Sequence, residues 1–403
     1  MKIRLNKTVA AVASSALVLL AVPASGIAGA STMMAKPTYV IGYEGPLSGG
    51  NAQLGINMKW GVQLAIANAN ASGKLPFNLQ AAWYDDQGSG TLSPAQAQSA
   101  VANNKLVAMV GPAFSGATRA AEPFYANAGI ATVSPSATAA ALATGISNNN
   151  FMRVVYGDDV QGAADAKFLV KTHGASSVLT IDDGSFYGAG LAQVVNTAAK
   201  ADGATVTSNS LPQTSNCGGV ASSTEYTSAA TQIAAANPKA VFYGGYYCDL
   251  GLLLGALSQT SYSGIIMSGD GSESSSLISG TTPASAANGV WLSAAGGGSS
   301  AFTGKLETQF KAISHGVKSS TALYSTQAYD AANMIITSMS KIKWSKSLEL
   351  NRIAIKDQLH MTTYKGVTGT LKFQSNGNLA GSGAGQVNFY QVVSGVITAK
   401  GHN

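Results

Sequence analysis

Charge is what this chain has least of. Asp, Glu, Lys and Arg make up 10% of its 403 residues, against roughly 25% in ordinary globular proteins. Ser, Thr, Asn and Gly take their place, so the surface is expected to be largely neutral and hydroxylated. A fold with few carboxylates has few native ion pairs to lose on acidification, which predicts tolerance of an acidic exterior. The Lys and Arg residues are scattered, and this excludes the clustered basic footprint of a nucleic-acid binder. Histidine is equally sparse. His173, His315, His360 and His402 lie far apart, with no Cys or carboxylate partner at metal-ligand spacing, and read as surface or packing residues. The chain also lacks a G-x-x-x-x-G-K-[ST] phosphate loop, a G-x-G-x-x-G helix opening and a G-x-S-x-G nucleophile elbow. Asp85-Asp86 and Asp182-Asp183 fall at strand ends, where carboxylates serve turns and caps. Neither catalysis nor a cofactor has a foothold here.

Long apolar runs are missing beyond the first thirty residues, and those thirty read as a secretory signal. Lys2, Arg4 and Lys7 precede the apolar stretch Val9 to Val22, and Ala28-Gly29-Ala30 offers a small-residue cleavage site. No cysteine lies nearby to receive a lipid. The expected mature chain, 373 residues with a net charge of +3 once those three basic residues are gone, is long enough for roughly two to three cores. It is expected to be diffusible in the periplasm or outside the cell. Only two cysteines are present, Cys217 and Cys248. An even pair in an oxidising compartment predicts a disulfide, with two buried thiols as the alternative.

What is present is a regular alternation. YVIGY is followed by a helical stretch Gly55 to Ala71, FNLQAAWYDD by Pro94 to Asn103, LVAMVG by Gly116 to Ala128, and IATVSP by a small-residue helix. After FMRVVYG the pattern restarts, with helices Asp159 to Thr172, Gly188 to Ala201, Thr224 to Ala236 and Leu250 to Gln259. Between them lie strands SSVLTIDD, TVTSNSL, KAVFYGGY and SGIIMSGD. Such series imply βαβ units with parallel sheets, here in two doubly wound lobes. GVWLSAAGGGSS then leaves one lobe through a Gly-rich linker. Helices follow near Phe302 to Ile313, Thr321 to Ile342 and Leu348 to His360. The chain closes with GTLKFQSNGN and QVNFYQVVSGVITAK, both strand-like, with a polar turn at Asn376 and Gly377.

Ligands of open α/β sheets sit beyond the carboxyl ends of strands. The runs Val107 to Thr118 and Ile130 to Thr138 each end in small hydroxyl residues expected to open a helix. The unpartnered first amides of a helix and its dipole suit a carboxylate there. Arg119 is the lone basic residue in either turn, so a small singly charged acid fits better than a phosphate. Ser115, Ser136 and Thr138 are the candidates, with simple helix capping as their alternative role. In the second series the equivalent positions are Tyr187, Tyr246 and Asp270. One carboxylate beside two phenols suits an ammonium group. Together the two halves describe a receptor for a zwitterion.

These residues carry a resemblance. GPLSGGNAQLG (Gly45 to Gly55), WYDD (Trp83 to Asp86), PAFSGAT, SPSAT, FYGAG, YGGYY, SGDG and AYDAA (Ala328 to Ala332) occur in order along the chain. In this the chain resembles the periplasmic binding proteins for leucine, isoleucine and valine, the type I solute-binding fold that serves ABC importers. The resemblance implies an α/β fold of two Rossmann-like lobes joined by a three-segment hinge. The crossings would lie near Val155 to Asp158, Ser293 to Ala295, and Gly383 to Gln386. The N-terminal lobe would take 38–155 and 295–384, and the C-terminal lobe 156–294 and 385–403. It implies that Ser115 and Thr138, with backbone near Ser136, bind a ligand carboxylate. It further implies that Asp270 and Tyr246 bind an α-amino group and that Tyr187 closes over the ligand. Asp270 stands where the leucine-type proteins carry a glutamate. Leu54 and Phe114 stand in place of a tyrosine and a disulfide cysteine, which makes the side-chain wall more apolar. The implied partners are a small amino acid, branched-chain or otherwise apolar, and ABC permease subunits, with the chain acting as a monomer. A sensory subunit for a membrane receptor, or a binder of an amide, urea or aromatic acid, are the alternatives.

Overall fold

The computed structural model describes residues 36–145, 150–296, 301–381 and 387–402. The expected signal segment, the Gly-rich linker past Gly296 and the crossing at Gly383 to Gln386 lie outside these residues. The folded unit begins at Pro37.

The first series builds a parallel sheet from β1 (Thr38–Gly45), β2 (Asn78–Asp85), β3 (Leu106–Val110), β4 (Ala131–Ser134) and β5 (Phe151–Arg153), ordered β2-β1-β3-β4-β5. Its connections are α1 (Ala52–Ala71), α2 (Ser93–Val101), α3 (Ser115–Asn127) and the single turn α4 (Leu142–Gly145). The chain then starts a second series. It contains α5 (Asp158–Lys167), β6 (Ser177–Asp182), α6 (Phe186–Ala201), β7 (Thr205–Ser210), α7 (Ser223–Ala236) and β8 (Ala240–Gly244). After these come α8 (Tyr247–Leu257), β9 (Ile265–Ser268), α9 (Ser275–Gly280) and β10 (Trp291–Ala295). Three helices follow, α10 (Gly304–Ile313), α11 (Ser325–Met339) and α12 (Leu348–Met361), then the short pair β11 (Tyr364–Lys365) and β12 (Thr370–Leu371). The strands β13 (Val387–Val393) and β14 (Val396–His402) complete a second sheet of order β14-β13-β10-β9-β8-β6-β7.

Interior strands of a parallel sheet are covered on both faces and therefore read as unbroken apolar runs. LVAMV of β3 and AVFYG of β8 are buried at every position, whereas TVTSNS of β7, at a sheet edge, is mostly exposed. Helices α11 and α12 return to the first sheet, α11 packing along α1 and α12 over β3 and β4. In each sheet the order reverses beside the first strand of the series, β1 or β6, which places a crevice past the carboxyl ends of its strands.

Two expectations need correction. The closing run QVNFYQVVSGVITAK is two antiparallel strands, turning at Ser394 and Gly395 with φ of +50° and +74°, the left-handed pair a tight hairpin requires. The segment after β4 does not open a helix at Ser136 or Thr138, since the next helical turn begins only at Leu142. The reason is a cation that sequence order hid. Arg153, 1% exposed at the end of β5, donates from Nη1 to the carbonyls of Ala137 (3.2 Å), Thr138 (2.7 Å) and Ala139 (3.0 Å). Three successive carbonyls turned toward one guanidinium cannot also run along a helix axis.

Candidate ligand-binding site

A cavity lies where the carboxyl ends of the two sheets face each other. It is lined by Leu54, Met58, Phe114, Ser115, Ser136, Tyr187, Tyr246, Asp270, Gly271 and Tyr324. Nine of the ten lining residues sit where the strand order delivers them, and Tyr324 arrives just ahead of α11. Leu54 and Met58 are in the first turns of α1 after β1, Phe114 and Ser115 follow β3, and Ser136 follows β4. From the second sheet come Tyr187 after β6, Tyr246 after β8, and Asp270 with Gly271 after β9. Seven of the eight expected ligand-site residues thus converge on one cavity.

The hydroxyls hold the first half together rather than capping helices. Ser115 is the first residue of α3, and its Oγ accepts from Ala139 N at 3.1 Å, bracing the loop after β4. Ser136 Oγ donates to Ala113 O at 2.7 Å and lies 3.1 Å from Met58 Sδ. Thr138 does not line the cavity. It is fully buried, its carbonyl taken by Arg153 and by Asp158 N at 2.8 Å. Its hydroxyl faces the Asp158 carboxyl group, which closes no well-formed hydrogen bond with it. Arg119 places its guanidinium 4.7 Å over the Phe186 ring.

Asp270 is the acid of the second half. Tyr187 Oη donates to its Oδ1 at 2.8 Å and Tyr324 Oη to its Oδ2 at 2.7 Å. The phenol oxygen of Tyr187 also accepts from Gly271 N at 3.0 Å, which fixes its proton toward the carboxylate. Burial raises the Asp270 carboxyl above the ordinary range, and donation from Tyr324, Tyr187 and Gln161 opposes that rise. Tyr246 lines the same cavity as Asp270. Its ring stacks face to face on Phe114, with centroids 4.3 Å apart and planes 13° from parallel, and tilts against Tyr187 at 5.2 Å.

Three residues at the site escaped sequence reasoning. Met58 is one helical turn beyond Leu54 and shares its face, a signal periodicity could have supplied. Tyr324 precedes α11 with a left-handed φ of +63°, a conformation uncommon for a bulky residue and unreadable from the run ALYSTQ. Gly271 follows Asp270 directly.

Further contacts close the cleft. Gly50, just ahead of α1, lies so close to the loop after β7 that a Cβ on it would stand 2.5 Å from Asn216 O, 2.9 Å from Cys217 Cα and 3.0 Å from Cys248 Sγ. Gln53 N donates to Tyr247 Oη at 3.4 Å in the same region. Cys217 and Cys248 are joined in a disulfide with Cα atoms 5.8 Å apart, tying that loop to the start of α8.

Two doubly wound α/β halves facing across a polar and aromatic cleft define a solute-binding architecture. The sequence profile of the periplasmic binding proteins matches residues 38–396, and the chain belongs to that family. It is 26% identical over 371 residues to the leucine-, isoleucine-, valine-, threonine- and alanine-binding protein of Pseudomonas aeruginosa, covering 88% of this chain and 91% of that one. To the Leu/Ile/Val-binding protein of Escherichia coli K12 it is 28% identical over 56% of this chain and 59% of the relative. In structure it is similar to the branched-chain amino acid substrate-binding protein LivJ of Streptococcus pneumoniae, solved with isoleucine. That likeness has a TM-score of 0.75 and 21% identity, over 91% of this chain and 99% of the other. No helix among the described residues is long and apolar enough to cross a membrane.

Proposed function

We propose that this protein is a non-enzymatic, extracytoplasmic receptor that captures a small amino acid between its two halves and delivers it to an ABC permease. The observation that carries the reading is the division of the cavity. Hydroxyls and the first amides of α3 lie on one side, and a carboxylate held between two phenols lies on the other. A zwitterion satisfies both, and drying of the cleft strengthens each contact. Ser115, the backbone at Ser136, and Thr138 through its loop serve the ligand carboxylate. Asp270 serves the ammonium, with Tyr187, Tyr246 and Tyr324 closing around it. The names of the relatives support an aliphatic amino acid. The lobes are 38–155 with 295–384 and 156–294 with 385–403, hinged where the chain passes between the sheets, and a single copy suffices for binding.

Native mass spectrometry of the purified protein tests the class, since a trapped ligand can be weighed. Small-angle scattering tests the motion. Saturating amino acid should reduce the radius of gyration, and at a hundred times Kd should add about 2.7 kcal/mol of stability. A trapped aromatic acid or amide, or a scattering curve indifferent to a tight ligand, overturns the proposal.

A further inference from the structure

We infer that Gln161 is a positioning residue for the ligand's ammonium, acting through Asp270 by tying that acid to β10. This role rests on the amino-acid reading above. Gln161 is fully buried in the first turn of α5, the helix that follows the first expected crossing. Its Nε2 donates to Ser293 Oγ at 3.0 Å and to Ser293 O at 3.3 Å. Ser293 belongs to β10, which runs into the second expected crossing. The same nitrogen lies against the turn that bears Asp270. A Cβ on Gly269, the residue before that acid, would stand 3.2 Å from Gln161 Nε2 and 2.8 Å from Tyr187 Oη.

An amide nitrogen carries two protons, and here acceptors face it from two sides, Ser293 on β10 and the Asp270 carboxylate. A backbone carbonyl can only accept, so the nitrogen and not the oxygen of the amide must face Ser293 O. Ser293 Oγ is held in its turn, donating to Asp165 Oδ2 at 3.0 Å. Gln161 Oε1 has no hydrogen-bond partner among the described residues, so the packing of this side chain serves its nitrogen. The other ionisable groups around Asp270 are Asp158 and Asp165 of α5, Glu273 of its own turn, and the phenols of Tyr187, Tyr246 and Tyr324. Burial lifts Asp158 and Glu273 to about 8 and moves Asp165 the same way. Below neutral pH those three keep their protons, and the charge lost on acidification is that of Asp270. A donor facing a buried carboxylate keeps it charged, and a hydrogen bond to a charged group shifts an equilibrium by roughly ten-fold or more.

Calorimetric titration of the full chain at pH 7 and pH 5 tests this role, with whichever of alanine, threonine, valine and leucine the parent binds most tightly. Gln161→Met keeps the length of the side chain and removes the donor. Its affinity should fall a few-fold below the parent's at pH 7 and roughly ten-fold or more below it at pH 5, because Asp270 then loses its charge at a higher pH. Ser293→Ala, which leaves the amide beside Asp270 but takes away one anchor, should shift the same way by less. Should Gln161→Met fail to fold, Ser293→Ala decides by the same pH comparison. A loss equal at both pH values marks a merely structural side chain and overturns the role of Gln161, as does an affinity that neither variant changes. In both cases the amino-acid reading stands. If the parent binds none of the four amino acids, that reading is overturned and the role of Gln161 with it.

Discussion

The Tyr324 phenol, delivered by the segment that packs on the first sheet, donates at 2.7 Å to Asp270 at the end of a strand in the second. The carboxylate proposed to hold the ligand's ammonium is therefore fully dressed only when the two halves meet. Closure and ligand recognition share one hydrogen bond.

Asp270→Asn should lose roughly 2 to 5 kcal/mol of amino-acid affinity, because a desolvated ammonium is left without its charge partner. Ser115→Ala, which keeps the amides of α3, should lose only about 1 to 2 kcal/mol. Calorimetry gives the order, and equal binding by Asp270→Asn and the parent would reject an amino acid as the ligand. A plain carboxylic acid would instead depend more on Ser115 than on Asp270.

Gly50→Ala should weaken ligand binding by ten-fold or more while leaving the melting temperature of the ligand-free protein unchanged. The added methyl meets Asn216 O and the disulfide only across the closed cleft. In a Cys217→Ser, Cys248→Ser background the loop can yield, so the same substitution should cost less. Additive effects in this double-mutant cycle would show that the contact does not govern closure.

Arg153 supports the site from behind. Its guanidinium satisfies three carbonyls of the loop after β4, and Nε donates to Asn378 Oδ1 at 2.8 Å. Arg153→Met should destabilise the fold by roughly 3 kcal/mol or more, since buried carbonyls lose a charged donor. It should also weaken the ligand, because Ser136 and Thr138 ride on that loop. Urea denaturation and calorimetry report the two losses separately, and an unchanged urea midpoint would contradict this account.

Stability should rise on mild acidification. Burial is the leading cause that lifts the carboxyl of Glu44 to about 7, Asp158 and Glu273 to about 8, and Asp183 to about 6. Asp86, Glu122 and Asp165 move in the same direction. An unfolded chain releases these protons near pH 4. Between that pH and about 8 the folded state therefore binds more protons, and stability falls as pH rises through the window. Among the described residues the ion pairs are few and partly exposed, as in Lys171 with Asp202 and Lys311 with Glu307, so acid has little to break. The urea midpoint at pH 5 should exceed that at pH 8. A midpoint that falls toward pH 5 would refute this.

Periodicity and the residues just past strands carried most of this fold and much of its site. A five-residue apolar run such as LVAMV, closed by Gly-Pro and set between helical stretches, reads as an interior strand, and Ser115, Tyr187, Tyr246 and Asp270 follow from where parallel strands end. The tail was harder to read. Tyr324 reaches the cavity from a helix pair some fifty residues away in sequence from Asp270, and no local pattern marks that return. Nothing in the run FMRVVYG marks Arg153. Its consequence, a loop in place of a helix after β4, depends on the β4–β5 pairing that sets it beneath three carbonyls. The hydroxyls of Ser115 and Ser136, for which helix capping was the alternative role, instead bond between neighbouring loops, a choice made by tertiary packing and invisible to spacing.

The stack of Phe114 on Tyr246 also decides how the molecule can be watched. Trp60 packs on Phe310, Trp83 on Tyr43, Trp291 on Phe168 and Trp344 on Tyr39, and no indole lines the cavity. Tryptophan emission should therefore stay almost silent through a ligand titration. The optical signal of capture belongs to the tyrosines. Ring coupling made or lost between Tyr246, Tyr187 and Phe114 should appear in the tyrosine region of the near-ultraviolet circular dichroism spectrum, giving the protein a label-free indicator of its own closure.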